Sequence, residues 1–416
     1  MKKNYYYFIR SFFLLLSFLF YSGCSTINNI KDDLKKEKNL VTIHGNVTIA
    51  NDLNAPIIIV LLKNRTDFLE FIDYKIKKKS GAFTFRSQEG KYAIYAWQDL
   101  NHNNKYDVNE PIGATAVSKY VSGVNTNSNI IIKNPSLSLF NKLNEDKKKQ
   151  MIDPNRFHMH IGSVISLDDE SFSEANISSG MLEPYTSLEK IPYGLFFLEK
   201  YSPKKKIILF IHGINGSPKN FRTIIENINT DKYQILLYYY PSGLRLSIVS
   251  EALVEAMEEL YVKTKYQKVS LIAHSMGGLI ARDYINRLKQ KGDNYIDTFI
   301  SISTPWGGHK SAETGLKYSP IVLSVWQDMA PNSNFLNKLL IPQLVSSTPF
   351  YLLFSYHGGN IIEQQNNDGV VSIKSQLRYE AQEESKLVRG FDENHMSILR
   401  NKQVYSLIQN LLNKVY

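Results

Sequence analysis

The sequence predicts an α/β fold, with a mostly parallel sheet flanked by helices, preceded by a small β-sandwich domain. From about residue 190 onward, apolar strand-like runs such as KKKIILFIHGING (204–216) and KVSLIAHSMGG (268–278) alternate with segments whose apolar residues recur at helical spacing. Buried strands that alternate with helices indicate a parallel sheet with crossover helices. Between residues 40 and 133, short β-type runs instead follow one another between clusters of Gly, Asn, Asp and Pro, which is typical of a small sandwich.

Each element of the α/β part follows from its own residue pattern. Strands are predicted where short apolar runs end in Gly or Pro, and helices where apolar residues recur every three or four positions. Catalytic groups on such sheets lie at the carboxyl ends of the strands, which is where these Gly- and Pro-containing turns fall. The predicted elements after the strand 204–216 are, in order, FRTIIENI (221–228), YQILLYYYPSG (233–243), SIVSEALVEAMEELYVKT (247–264), KVSLIAHSMGG (268–278), LIARDYINRLKQK (279–291), DTFISISTPWGG (297–308), PFYLLFSYH (349–357) and KLVRGF (386–391).

The first 23 residues differ from the rest of the chain. Lys2, Lys3 and Arg10 precede the apolar run FFLLLSFLFY (12–21), and two small residues then precede Cys24. The run is short for a membrane span, which needs about 20 residues, and the pattern is that of a secretory signal with a processing site. Cys24 is the only cysteine in the chain, so it cannot form an intramolecular disulfide.

This stretch resembles the signal of bacterial lipoproteins, in which the cysteine after the small residues is acylated. The resemblance implies lipidation at Cys24 and a lipid-anchored protein of the bacterial cell envelope, at the outer membrane because the non-acidic Ser25 follows. The alternative is an ordinary signal peptide or a short anchor helix with an incidental cysteine. The predicted organisation is a signal peptide (1–23), a polar tether (24–39), a β-sandwich-like domain (40–133), a connector with leading strands (134–189) and a catalytic domain (190–416).

The charge of the chain bears on its partners. The formal net charge of +10 comes from dispersed lysines and not from an arginine-rich stripe, which disfavours a nucleic-acid binder. The excess suits an anionic membrane surface. We therefore expect no nucleic-acid partner, and we expect contact with the membrane through the N-terminal lipid.

The stretch AHSMG (273–277) predicts a nucleophilic serine. It matches the elbow pattern G-x-S-x-G with Ala273 in the first glycine position, and it lies between a predicted strand and an amphipathic helix. Small residues two positions before and two positions after Ser275, Ala273 and Gly277, let strand and helix pack closely. The Met276 N–H then lies at the start of a helix, where negative charge is stabilised. The alternative is a Gly-rich turn in which the serine caps the helix.

Five motifs carry a family resemblance. They are HGING (212–216), AHSMGGLIARDYI (273–285), STPWGG (303–308), NNDGVVS (366–372) and ENHMSIL (393–399). In this order they resemble the α/β-hydrolase lipases and esterases, close to bacterial triacylglycerol lipases and to deacylases related to the GPI-inositol deacylases. The resemblance covers roughly residues 190–416 and implies the α/β-hydrolase fold, a serine hydrolase acting on carboxylic and especially lipid esters, and no cofactor for catalysis.

A serine nucleophile needs a base that an acid orients, and in this fold the order is Ser, then Asp or Glu, then His. His395 follows the last predicted strand, and Asp368 lies in a turn-rich loop after the strand 349–357, so these two are the predicted base and acid. Asp328 in WQDMAP and Asp392 are the rival acids. The family pattern also implies an oxyanion hole made by the backbone N–H groups of Ile214 and Met276.

The front domain contains a candidate calcium loop. DLNHNNKYDVNE (99–110) places oxygen-bearing side chains at loop positions 1, 3, 5, 9 and 12, the spacing of calcium-binding loops. Asn104 stands at position 6, where glycine is usual, and no helix is predicted before the loop. The alternative is an Asx-rich hairpin loop without metal. The predicted ligands are Asp99, Asn101, Asn103, Asp107 and Glu110.

Three functions are compatible with the sequence. The first is a membrane-anchored serine hydrolase that cleaves carboxylic esters through an acyl-enzyme. The second is an acyltransferase that uses the same three residues with an acceptor other than water. The third is a non-catalytic lipoprotein that binds a partner through its β-domain, against which the intact set of Ser, Asp and His argues.

Overall fold

The structure is a computed structural model and describes residues 24–66, 68–124, 126–149, 159–341, 348–358 and 366–414. The predicted signal peptide (1–23) lies outside the described residues. The chain forms two compact units. The larger comprises the described residues up to Asp33, with His160–Val254 and the chain from Tyr266 onward, and the smaller comprises Leu34–Met159 and Glu255–Lys265.

The larger unit is built on an eight-stranded, mostly parallel sheet. Its strands are β9 (His160–Val164), β10 (Gly194–Phe197), β11 (Lys206–Ile211), β12 (Tyr233–Tyr239), β13 (Val269–His274), β14 (Ile296–Ile302), β15 (Phe350–Ser355) and β16 (Leu387–Phe391). They lie side by side in the order β16-β15-β14-β13-β11-β12-β10-β9. Neighbours from β11 to β16 are parallel, and β10 runs antiparallel to β12. Every strand predicted in this region is present.

Helices connect these strands. Because β9 pairs with β10 at the edge of this sheet, part of the predicted connector with leading strands (134–189) belongs to the larger unit. The helices are Glu174–Leu182, Pro184–Ser187, Arg222–Glu226, Leu246–Thr264, Met276–Gln290, Lys310–Tyr318, Ser324–Met329, Asn334–Leu339, Ile373–Gln376, Tyr379–Glu384 and Lys402–Asn413, with short 3-10 turns at Glu170–Phe172, Pro218–Phe221 and Ser397–Arg400.

The central strands are buried on both faces, which explains their continuous apolar runs. In β11, Ile208 and Phe210 pack on one side with Tyr239 of β12 and with the carboxyl-terminal helix through Ile408. Burying such a side chain contributes about 1.5–3 kcal/mol to stability. These buried side chains hold the sheet in place, and the polar turns follow at the ends of its strands.

The smaller unit is a β-sandwich with a helical cover. One sheet has the order β4-β1-β8, and the other has the order β3-β2-β5-β6 with β7 paired to β5. Side chains of both sheets share one buried cluster, which includes Ile43, Ile59 and Phe85. The strands are β1 (Leu40–Ile49), β2 (Ile57–Asn64), β3 (Leu69–Lys77), β4 (Gly81–Gln88), β5 (Gly90–Gln98), β6 (Ile112–Ala114), β7 (Ser118–Tyr120) and β8 (Thr126–Ile132), and the helix Leu137–Lys149 follows.

The segment predicted as a polar tether is helical from Cys24 to Lys38. It is not fully solvated, because Ile30 and Asp33 are buried and the Asp33 carboxylate accepts hydrogen bonds from the N–H groups of Tyr185 and Thr186. Among the described residues, none of the helices combines the length and the apolar character needed to cross a membrane.

Candidate active site

Ser275 occupies the sharp turn between β13 and the helix Met276–Gln290. Its backbone has φ 54° and ψ −130°, a conformation that is costly for a residue with a side chain. The N–H of Ser275 donates to the carbonyl of Ile302 on β14, so the turn is held against the neighbouring strand. The chain therefore has, at this point, the strained strand-to-helix turn of a nucleophile elbow.

Glycine is required at two positions around this turn. A Cβ atom on Gly277 would lie 2.3 Å from the carbonyl oxygen of Ile211 and 2.4 Å from that of His212. A Cβ atom on Gly213 would lie 2.8 Å from the Cβ atom of Ser275. These contacts show that the helix, the elbow and the turn after β11 are in direct contact, so only residues without a side chain fit there.

Replacing Gly277 by alanine is expected to destabilise the protein by about 3 kcal/mol, because the added methyl group meets backbone atoms that no rotamer change can move. Urea unfolding measures the loss. Gly292→Ala is the matched control, since its added Cβ atom meets nothing within 4 Å and its φ of +74° costs only about 1–2 kcal/mol. Equal losses in the two variants would contradict this account of the close packing.

Three predicted site residues meet at the carboxyl edge of the sheet. The Nε2 atom of His395 is 2.9 Å from the Oγ atom of Ser275, and its Nδ1 atom is 2.7 Å from the Oδ2 atom of Asp368. The backbone N–H of His395 also donates to the carbonyl oxygen of Asp368. All three side chains are buried. A serine, an imidazole and a carboxylate in this order can remove the hydroxyl proton and stabilise the resulting imidazolium.

The Asp368 carboxylate is surrounded by donors. Its Oδ1 atom accepts from the N–H groups of Val370 and Val371, and its Oδ2 atom accepts from Ser355, Gln376 and His395. Burial by itself raises the pKa of this carboxyl group, but the hydrogen bond and charge of His395, with the hydroxyl of Ser355 and the backbone of Val371, hold the pKa below its ordinary value. The carboxylate is therefore ionised at neutral pH.

His274, directly before the elbow, supports the base. Its Nε2 atom is 2.9 Å from the carbonyl oxygen of His395, and since a carbonyl can only accept, Nε2 carries the proton. Burial, and secondarily the charge of His395, lowers the pKa of His274 to about 3. A neutral His274 thus holds the backbone of the loop that carries His395.

Two backbone N–H groups flank the elbow: Met276 directly follows Ser275, and Ile214 directly follows Gly213, whose added Cβ atom would lie 3.3 Å from the Oγ atom of Ser275. Within the part of the chain that the structure describes, neither the N–H of Ile214 nor that of Met276 donates a hydrogen bond. The turn before Ile214 is held by His212, whose ring stacks on Tyr240 at 4.1 Å and whose carbonyl accepts from the Tyr240 hydroxyl. Unpaired donors on a fixed turn and at a helix start can stabilise an oxyanion.

Comparisons with known proteins give one family match and several similar solved structures. The family model of lecithin:cholesterol acyltransferase matches residues 251–320, a stretch that contains the elbow. The mature Bacillus licheniformis lipase BlEst2 is 18% identical, with a TM-score of 0.43, covering 52% of this chain and 97% of that one. The lin2722 gene product of Listeria innocua is 15% identical, with a TM-score of 0.39, covering 51% and 95%. Phospholipase PlaB of Legionella pneumophila in complex with thio-NAD is 17% identical, with a TM-score of 0.36, covering 41% and 44%. Among curated proteins, none matches the chain.

The sheet order and the elbow decide the fold class. The larger unit has the α/β-hydrolase fold. Its mostly parallel sheet flanked by helices confirms the predicted fold, and the match over residues 251–320 confirms the resemblance to the α/β-hydrolase lipases and esterases.

The two rival acids lie elsewhere in the α/β-hydrolase unit. Asp328 is bound by Arg245 at 2.6 Å and accepts from the N–H of Leu246, so it caps the helix that starts there. Asp392 is exposed and pairs with the exposed His357 at 2.9 Å. Neither carboxylate contacts His395 in the described structure, whereas Asp368 does.

The candidate calcium loop closes on itself. Both carboxylate oxygens of Asp99 accept from backbone N–H groups of Asn103 and Asn104, and both oxygens of Glu110 do the same with Leu100 and Asp107. In the described parts of the chain, no group of three or more His, Cys, Asp or Glu side chains is arranged to hold a metal ion. Two of the five predicted ligands, Asn101 and Asn103, are asparagines and fall outside these four residue types. The calcium site therefore stays a prediction.

Proposed function

We propose that the protein is a membrane-anchored serine hydrolase that cleaves carboxylic esters, foremost lipid esters, through an acyl-enzyme. The observation that carries the proposal is the continuous hydrogen-bonded row from Ser275 through His395 to Asp368, set beside two unpaired backbone donors. A row of this kind on a strained elbow has no need of a metal or an organic cofactor to attack an ester.

The proposed reaction has two halves. The Oγ atom of Ser275 attacks the ester carbonyl while Nε2 of His395 takes the hydroxyl proton, and the oxyanion accepts from the N–H groups of Ile214 and Met276. His395 then gives the proton to the leaving alcohol, and the acyl group stays on Ser275. In the second half, His395 deprotonates a water molecule that attacks the acyl-enzyme, and the acid is released. Asp368 stays ionised and stabilises the imidazolium throughout.

The family match supports a lipid acyl group as the substrate. The matching family takes its name from an acyl transfer out of lecithin, and the match covers the segment with the nucleophile. The same name favours a second candidate function, in which the acyl group is transferred to an alcohol instead of to water. Both reactions share the acyl-enzyme, so they differ only in what attacks it.

The test uses a soluble form of the chain that starts at Ser25, with Ser275→Ala as the blank. p-Nitrophenyl esters of short and long acyl chains are compared, and a labelled phospholipid is then supplied with and without an added alcohol acceptor. Turnover that rises with chain length and needs Ser275 supports the lipid hydrolase. Label that moves to the acceptor and not to free acid favours the transferase. No turnover and no labelling by a fluorophosphonate in a folded protein would favour the non-catalytic reading.

The membrane anchor is a separate part of the proposal. Cys24, which follows the apolar run and two small residues, is proposed to carry the lipid at the outer membrane of the bacterial envelope. Expression of the full chain with Cys24→Ser should release the protein from the membrane fraction, and mass spectrometry of the wild-type amino terminus should show the acyl groups. An unchanged membrane fraction would rule out this anchor.

Calcium in the loop 99–110 is proposed as a structural ion only. The buried carboxylates of Asp99 and Glu110 and the half-buried Asp107 supply oxygen atoms of the type that calcium prefers. Calorimetric titration with calcium, with Asp107→Ala as the comparison, decides the point, and the absence of saturable heat would refute it.

A further inference from the structure

Two buried serines extend the catalytic row beyond Asp368. The Oγ atom of Ser355, at the end of β15, lies 2.6 Å from the Oδ2 atom of Asp368. The Oγ atom of Ser303, just after β14, lies 2.7 Å from the Oγ atom of Ser355. Both serines are fully buried. The contacts therefore form one row of five side chains, running from Ser303 to Ser275.

The direction of each hydrogen bond follows from counting protons. A carboxylate only accepts, so Ser355 must use its single hydroxyl proton on Asp368. The hydroxyl of Ser303 must then donate to Ser355. Every proton in the row points toward the carboxylate. The hydroxyl of Ser303 polarises that of Ser355 and makes it a stronger donor, whereas Ser355 and His395 share the same acceptor, the Oδ2 atom of Asp368.

Backbone strain and side-chain hydrogen bonds hold these two serines in place. Ser303 has φ 51°, in the left-handed region that residues with side chains rarely adopt, and its N–H donates to the carbonyl of Leu353 on β15. Gln376 fixes the other serine, because its amide oxygen accepts from the N–H of Ser355 and its amide nitrogen donates to the Ser355 carbonyl and to Asp368. The protein thus holds Ser303 in a strained conformation and fixes Ser355 through Gln376, which places both hydroxyl groups in the row.

We propose that Ser303 and Ser355 are positioning residues for the reaction, which orient the Asp368 carboxylate and set its strength as the partner of His395. The inference rests on the proposed function, since it assigns a role within the same site. Without the Ser355 proton, Oδ2 of Asp368 loses a donor and attracts the proton on His395 more strongly. The imidazolium then persists to higher pH, and less of the enzyme holds the free base that Ser275 needs.

The test compares kcat and the pH profile of kcat/KM on one p-nitrophenyl ester. Ser355→Ala should lower kcat about tenfold, the size expected for one hydrogen bond to a charged group, and should move the acidic limb of the profile to higher pH. Ser303→Gly, which also relieves the strained φ, should move the limb the same way by a smaller amount. Ser355→Thr keeps the hydroxyl group and should restore most of the loss.

Ser301→Ala is the matched control. Ser301 is buried on β14, two positions before Ser303, and within the described structure its hydroxyl group has no hydrogen-bond partner. It should leave kcat and the pH profile unchanged. If Ser355→Ala behaves like Ser301→Ala while turnover still depends on Ser275, the positioning role is wrong and the proposed function stands.

A second readout does not depend on turnover. The proton that His395 shares with Asp368 should give a downfield proton NMR signal in the full-length folded protein. The signal should shift in Ser355→Ala and Ser303→Gly and stay in place in Ser301→Ala. If the protein turns over no ester, the proposed function is wrong. If the NMR signal is unshifted in both Ser355→Ala and Ser303→Gly, the positioning role of the two serines is wrong, whether or not the protein turns over an ester.

Discussion

Replacing Ser275 by alanine is expected to lower kcat by about a millionfold, because it removes the hydroxyl group that forms the acyl-enzyme. The residual rate over water should come from the oxyanion donors and from substrate binding. The fold should survive, since alanine at φ 54° bears about the same backbone strain as serine. Initial rates on a p-nitrophenyl ester, together with labelling by a fluorophosphonate, measure the loss.

Two companion variants sharpen this result. Ser275→Gly should be equally inactive but about 1 kcal/mol more stable toward urea than Ser275→Ala, because glycine adopts positive φ freely. Ser385→Ala, at the end of the helix Tyr379–Glu384, removes a hydroxyl group whose hydrogen bond in the described structure goes to the nearby Gln382 carbonyl, and it should keep full activity. Turnover of Ser275→Ala within tenfold of the wild type would show that the nucleophile lies elsewhere.

The parts of this structure that could be predicted from sequence are those with short-range signals. Strands buried on both faces, such as β11 and β13, are continuous apolar runs, and the elbow needs small residues at fixed offsets from Ser275. The chain order of acid and base in this fold then points to Asp368 and His395. In each case a few neighbouring residues, or a known order of motifs, contain the information.

The parts that could not be predicted depend on which strands become neighbours. Ser303 meets Ser355 because β14 and β15 are neighbours, and Gln376 reaches Asp368 because the chain turns back after β15. A serine at the end of an apolar run carries no mark of such a partner. His274 is a comparable case, since its bond to the backbone of His395 spans more than a hundred residues.

The amino-terminal helix Cys24–Lys38 could not be predicted from its composition. A segment rich in Lys, Asp and Asn is typical of a solvated tether, and Ile30 and Asp33 do not stand out within it. Asp33 is nonetheless buried, because the N–H groups of Tyr185 and Thr186, at the start of a helix, give it two donors. A single buried carboxylate with backbone partners has no periodic signal.

Replacing Asp368 by asparagine is expected to lower kcat about ten-thousandfold while keeping the nucleophile and the base in place. An amide nitrogen next to Nδ1 of His395 would donate and not accept. The imidazole would then carry its proton on Nε2 and could not take the proton of Ser275. Turning the amide over does not help, because its nitrogen would face the N–H groups of Val370 and Val371.

The same substitution should change the pH dependence of stability in a defined direction. The pKa of Asp368 is lower in the folded protein than its ordinary value of 3.8, so its ionisation stabilises the fold above that value, and this contribution is lost as the pH falls through the folded-state pKa. Asp368→Asn should therefore be less stable than the wild type at pH 7, and the difference should shrink on acidification below about pH 4. Asp392→Asn, which removes an exposed carboxylate paired with His357, is the control and should match the wild type in kcat and in urea unfolding at both pH values. If Asp368→Asn retained wild-type kcat while Asp392→Asn lost it, the acid of the site would have to be reassigned to the rival that the geometry places away from His395.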